Sequence, residues 1–537
     1  MKKTHFCAMA DCSRNAVMKP EKVKEFATYL KKLGYDSLML YTEDTYEVDG
    51  EPYFGYFRGR YGKEELKDAD AYLKSIGMEL IPCVQTLAHL KNIFRWGKYC
   101  EIRDAEDVLL CGNERTYTLI DNMFKTISEC FSSKTVHIGM DEAFFLGLGK
   151  YLAINGYEER TKILLKHLEK VCGIAKKHGL KPVMWSDMFF RLANGGEYYP
   201  KEGEEMRLNA DVKELIPEDL GLVYWDYYHT DEKVYDKMFK GHNSLTDNVW
   251  FAGGLWTWAG FCPVNEYAKS VTKPAMISAR ENGAKNVIMT LWGDNGGECS
   301  MFSVLPTLFY AKKIYDGETD EDVIKKEFFD LTGENYDDML LLSLPNEIVS
   351  CPDRPVNPCK YVLYTDLFAS ALSTAFPDGG AEKYAEYAEM LRNVKSKNFG
   401  YLFDYTAKLC DVLSAKYTLH SDIRKGYEEK DKALLKSCVK RIDECIVKLE
   451  AFYKSFETVW FKERKQYGFD VQDVRLGGLE KRMTACRKRL EKYLDGELDK
   501  IDELEEKLLD FLEKGEPFGK KAIIYNGWAS NVTHNNI

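Results

Sequence analysis

Short apolar runs alternate with amphipathic stretches from residue 4 to residue 292. Runs at 4–11, 37–41, 79–85, 135–140, 181–186, 221–226, 250–256 and 286–292 are rich in β-branched and apolar residues and predict buried strands. Between them, segments such as 21–33, 63–76, 122–130 and 157–178 carry apolar residues at helical spacing. Leu33-Gly34-Tyr35, Ile76-Gly77-Met78 and His178-Gly179-Leu180 each place a glycine just past a helix and just before a strand. A left-handed cap is needed there for the chain to turn back. Eight β/α repeats, in a span somewhat above the roughly 250 residues such folds usually occupy, predict an α/β protein built on a (β/α)8 TIM barrel.

The texture changes after about residue 317. Pro-rich connectors near 344–357 lead into long charged amphipathic stretches, including 432–453 and 480–513. These predict an all-α C-terminal domain, with the barrel at 1–317 and the helical domain at 318–537. The tail at 522–536 returns to a strand-like and then polar composition.

In a barrel of this kind the chemistry collects at the C-terminal ends of the strands. Read only there, the chain offers Asp11 and Arg14, Tyr41, Glu43 and Asp44, Gln85 and His89, Asp141 and Glu142, Trp185 and Asp187, the run Trp225 to Tyr228, Trp256 and Trp258, then Trp292 and Asp294. The fourth run, Thr135-Val-His-Ile-Gly-Met-Asp-Glu142, ends abruptly in two adjacent carboxylates, and Gly139 permits a close approach just before them. Five of the chain's nine Trp fall at these tips. A mouth lined with indoles, tyrosines, an arginine and carboxylates suits a sugar, whose C–H faces stack on aromatic rings and whose hydroxyls bond to Asp, Glu and Arg. Simpler roles stand beside this one: His89 bracing a loop, Asp187 pairing with a barrel base, Arg14 serving as an ion-pair partner.

Composition narrows the classes further. With 537 residues, two or three domains are expected, and 45% hydrophobic content fills their cores. A net charge of −11 with acids and bases intermixed leaves no basic face for nucleic acid or an anionic membrane. Fifteen Cys without a Cys-x-x-Cys pair read as reduced core thiols, with no zinc knuckle and no disulfide framework. No cofactor or metal is expected. The first apolar stretch is cut by Asp11 and Arg14 before it reaches the length of a secretory leader, and no later run approaches a membrane span. A cytoplasmic protein is expected, so Asn531-Val-Thr533 is not read as a glycosylation site, and the oligomeric state is left open.

His-x-Gly-x-Asp-Glu at the fourth strand, Arg14 at the first, Trp at the fifth, seventh and eighth, and Trp292-Gly-Asp294 at the end of the barrel resemble the β-N-acetylhexosaminidases of glycoside hydrolase family 20. The resemblance covers roughly residues 1–315. A start directly at strand one and a helical C-terminal region are similar to the hexosaminidase D-like branch of that family. The resemblance implies removal of terminal β-linked N-acetylglucosamine or N-acetylgalactosamine from a small oligosaccharide or glycoconjugate by a retaining, substrate-assisted mechanism. It implies that Glu142 is the general acid and that Asp141 holds the 2-acetamido group whose carbonyl attacks C1. Arg14 would bind the hydroxyls at C3 and C4, and Asp294 those at C4 and C6. Trp185, Trp258 and Trp292 would wall the acetamide and the sugar faces. A tyrosine of the 224–228 run would donate to the acetamide oxygen; the Tyr-x-Asp spacing favours Tyr224 with Asp226, with Tyr227 and Tyr228 as alternatives. Glu43, Asp44 and His89 are further candidates. Two rivals stand: a retaining two-carboxylate β-glycosidase whose nucleophile is Asp294 or Glu298, and a carbohydrate-binding barrel without activity.

Overall fold

A computed structural model of the protein describes residues 4–200, 212–349, 355–511 and 525–531. Eight parallel strands close into a barrel in sequence order: β1 (His5–Asp11), β2 (Ser37–Glu43), β3 (Glu79–Val84), β4 (Thr135–His137), β5 (Lys181–Trp185), β6 (Gly221–Trp225), β7 (Val249–Gly254) and β8 (Asn286–Leu291). Closure is direct, with Ala8 of β1 set against Leu38 of β2 on one side and Met289 of β8 on the other. Every residue of β2, β6 and β7 is buried, as expected of parallel strands covered on one face by helices and on the other by the barrel's own filling.

The covering helices follow from the apolar spacing. Pro20–Lys32 buries Val23, Phe26, Ala27 and Leu30 along one stripe, and Arg160–Lys177 buries Ile163, Leu164, His167, Leu168 and Val171. Gly34, Gly77 and Gly179 have φ of 89°, 70° and 69°, the left-handed caps expected between these helices and the next strands. The third helix is longer than its apolar spacing suggests. It spans Glu114–Cys130 because the Asn113 side chain accepts from the Arg115 N–H and so caps a polar first turn.

β4 is shorter than the expected run to residue 140, for a backbone reason. Gly139 and Met140 have φ of 72° and 71°, so the chain leaves the extended region two residues after His137. The Gln85 side chain, just beyond β3, lies against this turn. A Cβ on Gly139 would stand 2.0 Å from Gln85 Oε1. The close approach anticipated at Gly139 is thus made by a neighbouring side chain of the barrel itself.

By packing, the chain forms two compact units. The first comprises residues 1–255, 268–293 and 307–324; the second comprises 256–267, 294–306 and 325–537. The second unit is helical. Its long helices are Gly380–Asn393, Gly400–Lys416, Lys432–Glu463 and Asp470–Asp495. Lys432–Glu463 runs past the expected end at 453 because Phe456, Val459 and Trp460 are buried in its last turns. The helix expected at 480–513 begins earlier and stops at Asp495, where Gly496 takes φ 79° as a left-handed cap. Of the tail at 522–536, only 525–531 are described, and Trp528–Asn531 there is a helical turn rather than a strand. Among the described residues no helix is long and apolar enough to cross a membrane.

The segment 294–306 is locked inside the second unit by buried charge. Lys360 Nζ lies 2.6 Å from Glu298 Oε2 with both side chains essentially out of water, and Arg475 Nη1 lies 2.9 Å from Glu298 Oε1. Burial pulls the Lys360 ammonium below the ordinary lysine range, and the Glu298 carboxylate works against that pull. A Glu298→Gln variant therefore leaves a buried ammonium without its counter-charge and is expected to lose about 3–5 kcal/mol in denaturant unfolding. Adding Lys360→Met should recover much of that loss, and additive losses would show that the two charges are not coupled. Gly139→Ala is expected to cost at least about 1–2 kcal/mol from the left-handed backbone alone, and more once Gln85 is displaced. An unchanged unfolding midpoint would mean that the turn relaxes freely.

Candidate active site

The turn after β4 brings Asp141 and Glu142 into different surroundings although they are consecutive. Asp141 is enclosed on the β3 side: Gln85 Nε2 donates to Asp141 Oδ1 at 2.7 Å, and His89 Nε2 lies 3.2 Å from Asp141 Oδ2. Gln85 is itself fixed, since its Oε1 accepts the Met140 N–H at 3.1 Å and its Nε2 also donates to the Tyr41 hydroxyl at 3.0 Å. His89 is held through its own N–H, which donates to Asp107 Oδ2 at 3.0 Å. Glu142 is less enclosed: one of its oxygens, Oε2, lies 3.8 Å from the same His89 Nε2. Its side chain keeps 38% exposure, its N–H donates to Asp187 Oδ2 at 3.2 Å, and Arg191 Nη2 stands 3.7 Å from its Oε1.

These surroundings push the two carboxyls in opposite directions. Burial opposes the charge on Asp141, but the His89 imidazolium and the hydrogen bonds from His89 and Gln85 hold this carboxyl below the usual carboxylate range. The same pairing, working against burial, lifts His89 to about 10. Glu142 is pushed up to about 7, first by burial, then by the negative charge of Asp141 and of Asp187, with His89 and Arg191 only partly offsetting them. Near neutral pH the site therefore holds one committed carboxylate and one acid poised to give or take a proton, the division that general acid–base chemistry needs.

Left-handed backbone at non-glycine residues marks the same rim. Asn15, Glu43, His89, Met140 and Glu142 have φ of 69°, 47°, 57°, 71° and 49°. Such conformations persist where the surroundings over-determine them, and they cluster at functional sites. At Glu43 the cause is a bulge: Tyr41 pairs with Cys83 and Glu43 with Val84, so Thr42 is the extra residue that re-aims Glu43. Glu43 then accepts from the Tyr41 hydroxyl at 3.1 Å and lies 3.4 Å from Arg14 Nη2. Arg14 Nε is 3.8 Å from Asp11 Oδ2, which also accepts the Gly293 N–H at 2.9 Å and so ties β1 to the end of β8. The Arg14 side chain keeps 32% exposure.

The aromatic wall comes from β2, β5, β6 and β8. Trp185 and Trp292 ring centroids are 5.9 Å apart, Tyr41 meets Trp292 edge-on at 4.8 Å, and His137 lies 4.3 Å from Trp185. His137 is neutral, pulled down to about 3 by burial, and its Nδ1 accepts the Gly139 N–H. Tyr227 stacks on Trp225 at 5.4 Å, hydrogen-bonds with Trp292 and Thr290, and feels the charges of Asp141 and Glu142.

The expected residues distribute unevenly over this geometry. Asp141, Glu142, His89, Arg14, Trp185 and Trp292 belong to the connected cluster. Tyr224 does not: its hydroxyl donates to Asp226 Oδ2 at 3.0 Å, and its ring packs on His242, Phe239 and Phe251, between β6 and the helix Glu232–Leu245. Asp226 is taken up by that hydroxyl, by His229 Nδ1 at 2.8 Å and by the Tyr228 N–H at 3.0 Å. The half-exposed Tyr228 adjoins Tyr227. Trp258 and Asp294 belong to the second compact unit. Motif reading names Gln85 and Tyr41 only as strand-tip residues without a role and Tyr227 as an alternative to Tyr224, and Arg191 is the contributor that it does not name. Among the described residues no group of three or more His, Cys, Asp or Glu side chains is arranged to hold a metal ion.

Comparison with known proteins gives two matches to one family: Glycosyl hydrolase family 20, catalytic domain, over residues 44–242, and Glycoside Hydrolase 20C C-terminal domain, over residues 337–523. The chain is similar to hexosaminidase D of Bos taurus, 23% identical over 246 residues that make up 44% of this chain and 65% of that protein. It is also similar to hexosaminidase D of Homo sapiens, 23% identical over 223 residues, 40% of this chain and 43% of that protein. It thus spans less than two thirds of the length of either relative. Among solved structures it is similar to the exo β-N-acetylglucosaminidase of Vibrio harveyi, at 14% identity and TM-score 0.45 over 62% of this chain and 58% of that one. It is also similar to the chitobiase of Flavobacterium johnsoniae, at 13% identity and TM-score 0.48 over 93% of this chain and 73% of that one. With a catalytic-domain match and a C-terminal-domain match to one family on the same polypeptide, the chain belongs to glycoside hydrolase family 20.

Proposed function

We propose that the protein is an exo-acting β-N-acetylhexosaminidase that removes terminal β-linked N-acetylglucosamine or N-acetylgalactosamine with retention, using the substrate's own acetamide as nucleophile. The observation that carries this reading is the unlike setting of two consecutive carboxyls, Asp141 enclosed by Gln85 and His89 and Glu142 backed by Asp187, which holds the first below the usual carboxylate range and pushes the second up to about 7. Protonated Glu142 gives its proton to the glycosidic oxygen as the C1–O bond breaks, while the acetamide carbonyl oxygen bonds to C1 and closes a five-membered oxazolinium. Asp141 aligns the amide N–H and stabilises the positive charge that the ring acquires, at a low effective dielectric where such a charge counts for most. Glu142, now a carboxylate, takes a proton from the water that attacks C1; the ring opens and the β configuration is restored.

The geometry supports some role assignments over others. His89 faces Asp141 and Glu142 rather than open space, so we assign it to holding Asp141 ionised and aligned instead of touching sugar. Tyr227, hydrogen-bonded with Trp292 and close enough to both carboxyls to feel their charge, is a better donor to the acetamide oxygen than Tyr224, which is spent on Asp226. Arg14 is proposed for the C3 and C4 hydroxyls, and Trp185 and Trp292 for the walls. For Trp258 against the acetamide and Asp294 at the C4 and C6 hydroxyls, the proposal rests on the family resemblance alone. Glu298 is a poor covalent nucleophile, since Lys360 and Arg475 already occupy both of its oxygens. Buried unpaired thiols such as Cys7, Cys83 and Cys410 support a cytoplasmic setting, and the net charge of −11 supports a neutral glycoside rather than nucleic acid as partner.

Glu142→Gln is expected to lose roughly 10²–10⁴-fold on N-acetylglucosaminides with poor leaving groups and far less on those that depart without a proton. Equal losses on both would remove Glu142 from the acid role. For the native chain, kcat/KM on a poor leaving group should fall as pH rises through about 7, where Glu142 loses its proton. The acidic limb should lie below the ordinary aspartate value of about 3.9, because Asp141 stays ionised to lower pH. A thiazoline mimic of the cyclised intermediate should inhibit much more strongly than the product sugar, and a 2-hydroxyl glucoside should be nearly inert. Trapping a glycosyl adduct on Asp294 or Glu298 would replace this mechanism with the two-carboxylate one.

A further inference from the structure

Resting on the assignment of Glu142 as general acid, we propose that Asp187 and Arg191 form a positioning pair for that acid, Asp187 fixing its backbone and Arg191 steadying its carboxylate once the proton has left. The two residues sit one turn apart on the short helix Asp187–Ala193, immediately after β5. Asp187 is completely buried, and its Oδ2 accepts both the Glu142 N–H at 3.2 Å and Arg191 Nε at 2.9 Å. Its Oδ1 is buried with no hydrogen-bond partner. A carboxylate serving only to anchor its helix would have both oxygens satisfied; this one directs a single oxygen at the backbone of the catalytic segment.

That backbone needs holding. Glu142 has φ 49°, a conformation a glutamate leaves unless its neighbours prevent it, and the hydrogen bond to Asp187 is the restraint on its amide. Arg191 supplies the other half. Its guanidinium lies 5.1 Å from the Phe144 ring, 5.6 Å from Tyr198 and 5.9 Å from Trp225, and Nη1 donates to the Gly196 carbonyl at 3.1 Å. Held on so many sides, it presents Nη2 3.7 Å from Glu142 Oε1. That is a distance at which a cation stabilises the carboxylate formed by proton donation without a bidentate lock that would keep the proton off.

The two members act on the acid with opposite signs, and this gives a test that a purely structural helix would fail. The charged and titratable groups facing Glu142 are Asp141 on its own segment, His89 from the segment after β3, Asp187 and Arg191 from the helix after β5, and Tyr227 after β6. In Arg191→Met a cation is lost and Asp141 and Asp187 act with less opposition, so the basic limb of the pH profile should move up. In Asp187→Asn, whose amide oxygen can still accept the Glu142 N–H, an anion is lost and Arg191 is opposed by Asp141 alone, so the limb should move down. Each shift is expected to be roughly half a unit to one unit, the lower end of what a neighbouring charge does because Glu142 is partly exposed.

The experiment measures kcat and KM against pH for the full chain and for Arg191→Met, Asp187→Asn, Arg191→Lys and Glu142→Gln, on aryl N-acetylglucosaminides with good and poor leaving groups. Support for the pair consists of opposite shifts of the basic limb, a loss of roughly tenfold or more in kcat confined to the poor leaving group, and little change in KM. Arg191→Lys, which keeps the charge, should leave the limb near its native position and covers the case in which the methionine variant does not fold. Limbs that stay still or move together, or a loss carried by KM, would overturn the pair while Glu142→Gln still shows its leaving-group dependence. If Glu142→Gln loses equally on both substrates, the acid assignment fails and the pair fails with it.

Discussion

Two carboxylates on consecutive residues, largely withdrawn from water, repel one another, and the neighbourhood of this site is arranged around that repulsion. Burial first, and then the charge of Asp141, lift Glu142 to about 7, so near neutral pH only Asp141 is firmly ionised. The protein answers asymmetrically. Gln85 and His89 approach Asp141 at 2.7 and 3.2 Å, whereas Glu142 receives a second anion, Asp187, behind its backbone and has His89 and Arg191 only at 3.8 and 3.7 Å from its oxygens. The result is one fixed charge and one mobile proton from two residues that look equivalent in sequence.

The asymmetry is produced by backbone geometry. In an extended strand Asp141 and Glu142 would point to opposite faces by simple alternation. Instead Gly139, Met140 and Glu142 adopt left-handed φ, which wraps the segment around the Gln85 amide and turns Asp141 into the enclosure that His89 completes. Gly139 is indispensable here because the place of its missing Cβ is filled by Gln85 Oε1. Strain at the acid and absence of a side chain at the glycine are thus two halves of one arrangement.

How much of this could be read from the residues depends on the distance over which each feature is determined. The eight strands, the glycine caps and the carboxylate pair are local patterns, and each lies within a residue or two of its expected place, β4 excepted. The length of β4 was not readable because the turn that ends it is set by Gln85, fifty-odd positions upstream, where nothing periodic marks it. Tyr224 illustrates a subtler limit. Tyr-x-Asp spacing does place both side chains on one face of β6, and they bond to each other, but that face meets the helix Glu232–Leu245. Spacing of two fixes that residues share a face and is silent on which face it is; Tyr227, which feels the charges of Asp141 and Glu142, lies beyond the strand's end, where alternation no longer applies.

The same limit explains why the edge between the two compact units is not a single point in the chain. Segments 256–267 and 294–306, the loops after β7 and β8, pack with the helices far downstream. Asn346 donates to the Cys262 carbonyl, Tyr405 to that of Phe261 and Arg464 to that of Cys299, while Phe261 meets Phe452 and Phe456 edge-on. Composition changes near residue 317 because the strand–helix alternation ends there, but composition records what an element is made of, whereas unit membership is decided by what its side chains touch. Trp258 and Asp294 lie in those two segments, and Glu298 in the second of them is held by Lys360 and Arg475. Within the second unit, buried charge and aromatic packing tie 256–267 and 294–306 to the helices, which is why those segments cluster with residues far downstream rather than with their neighbours in sequence.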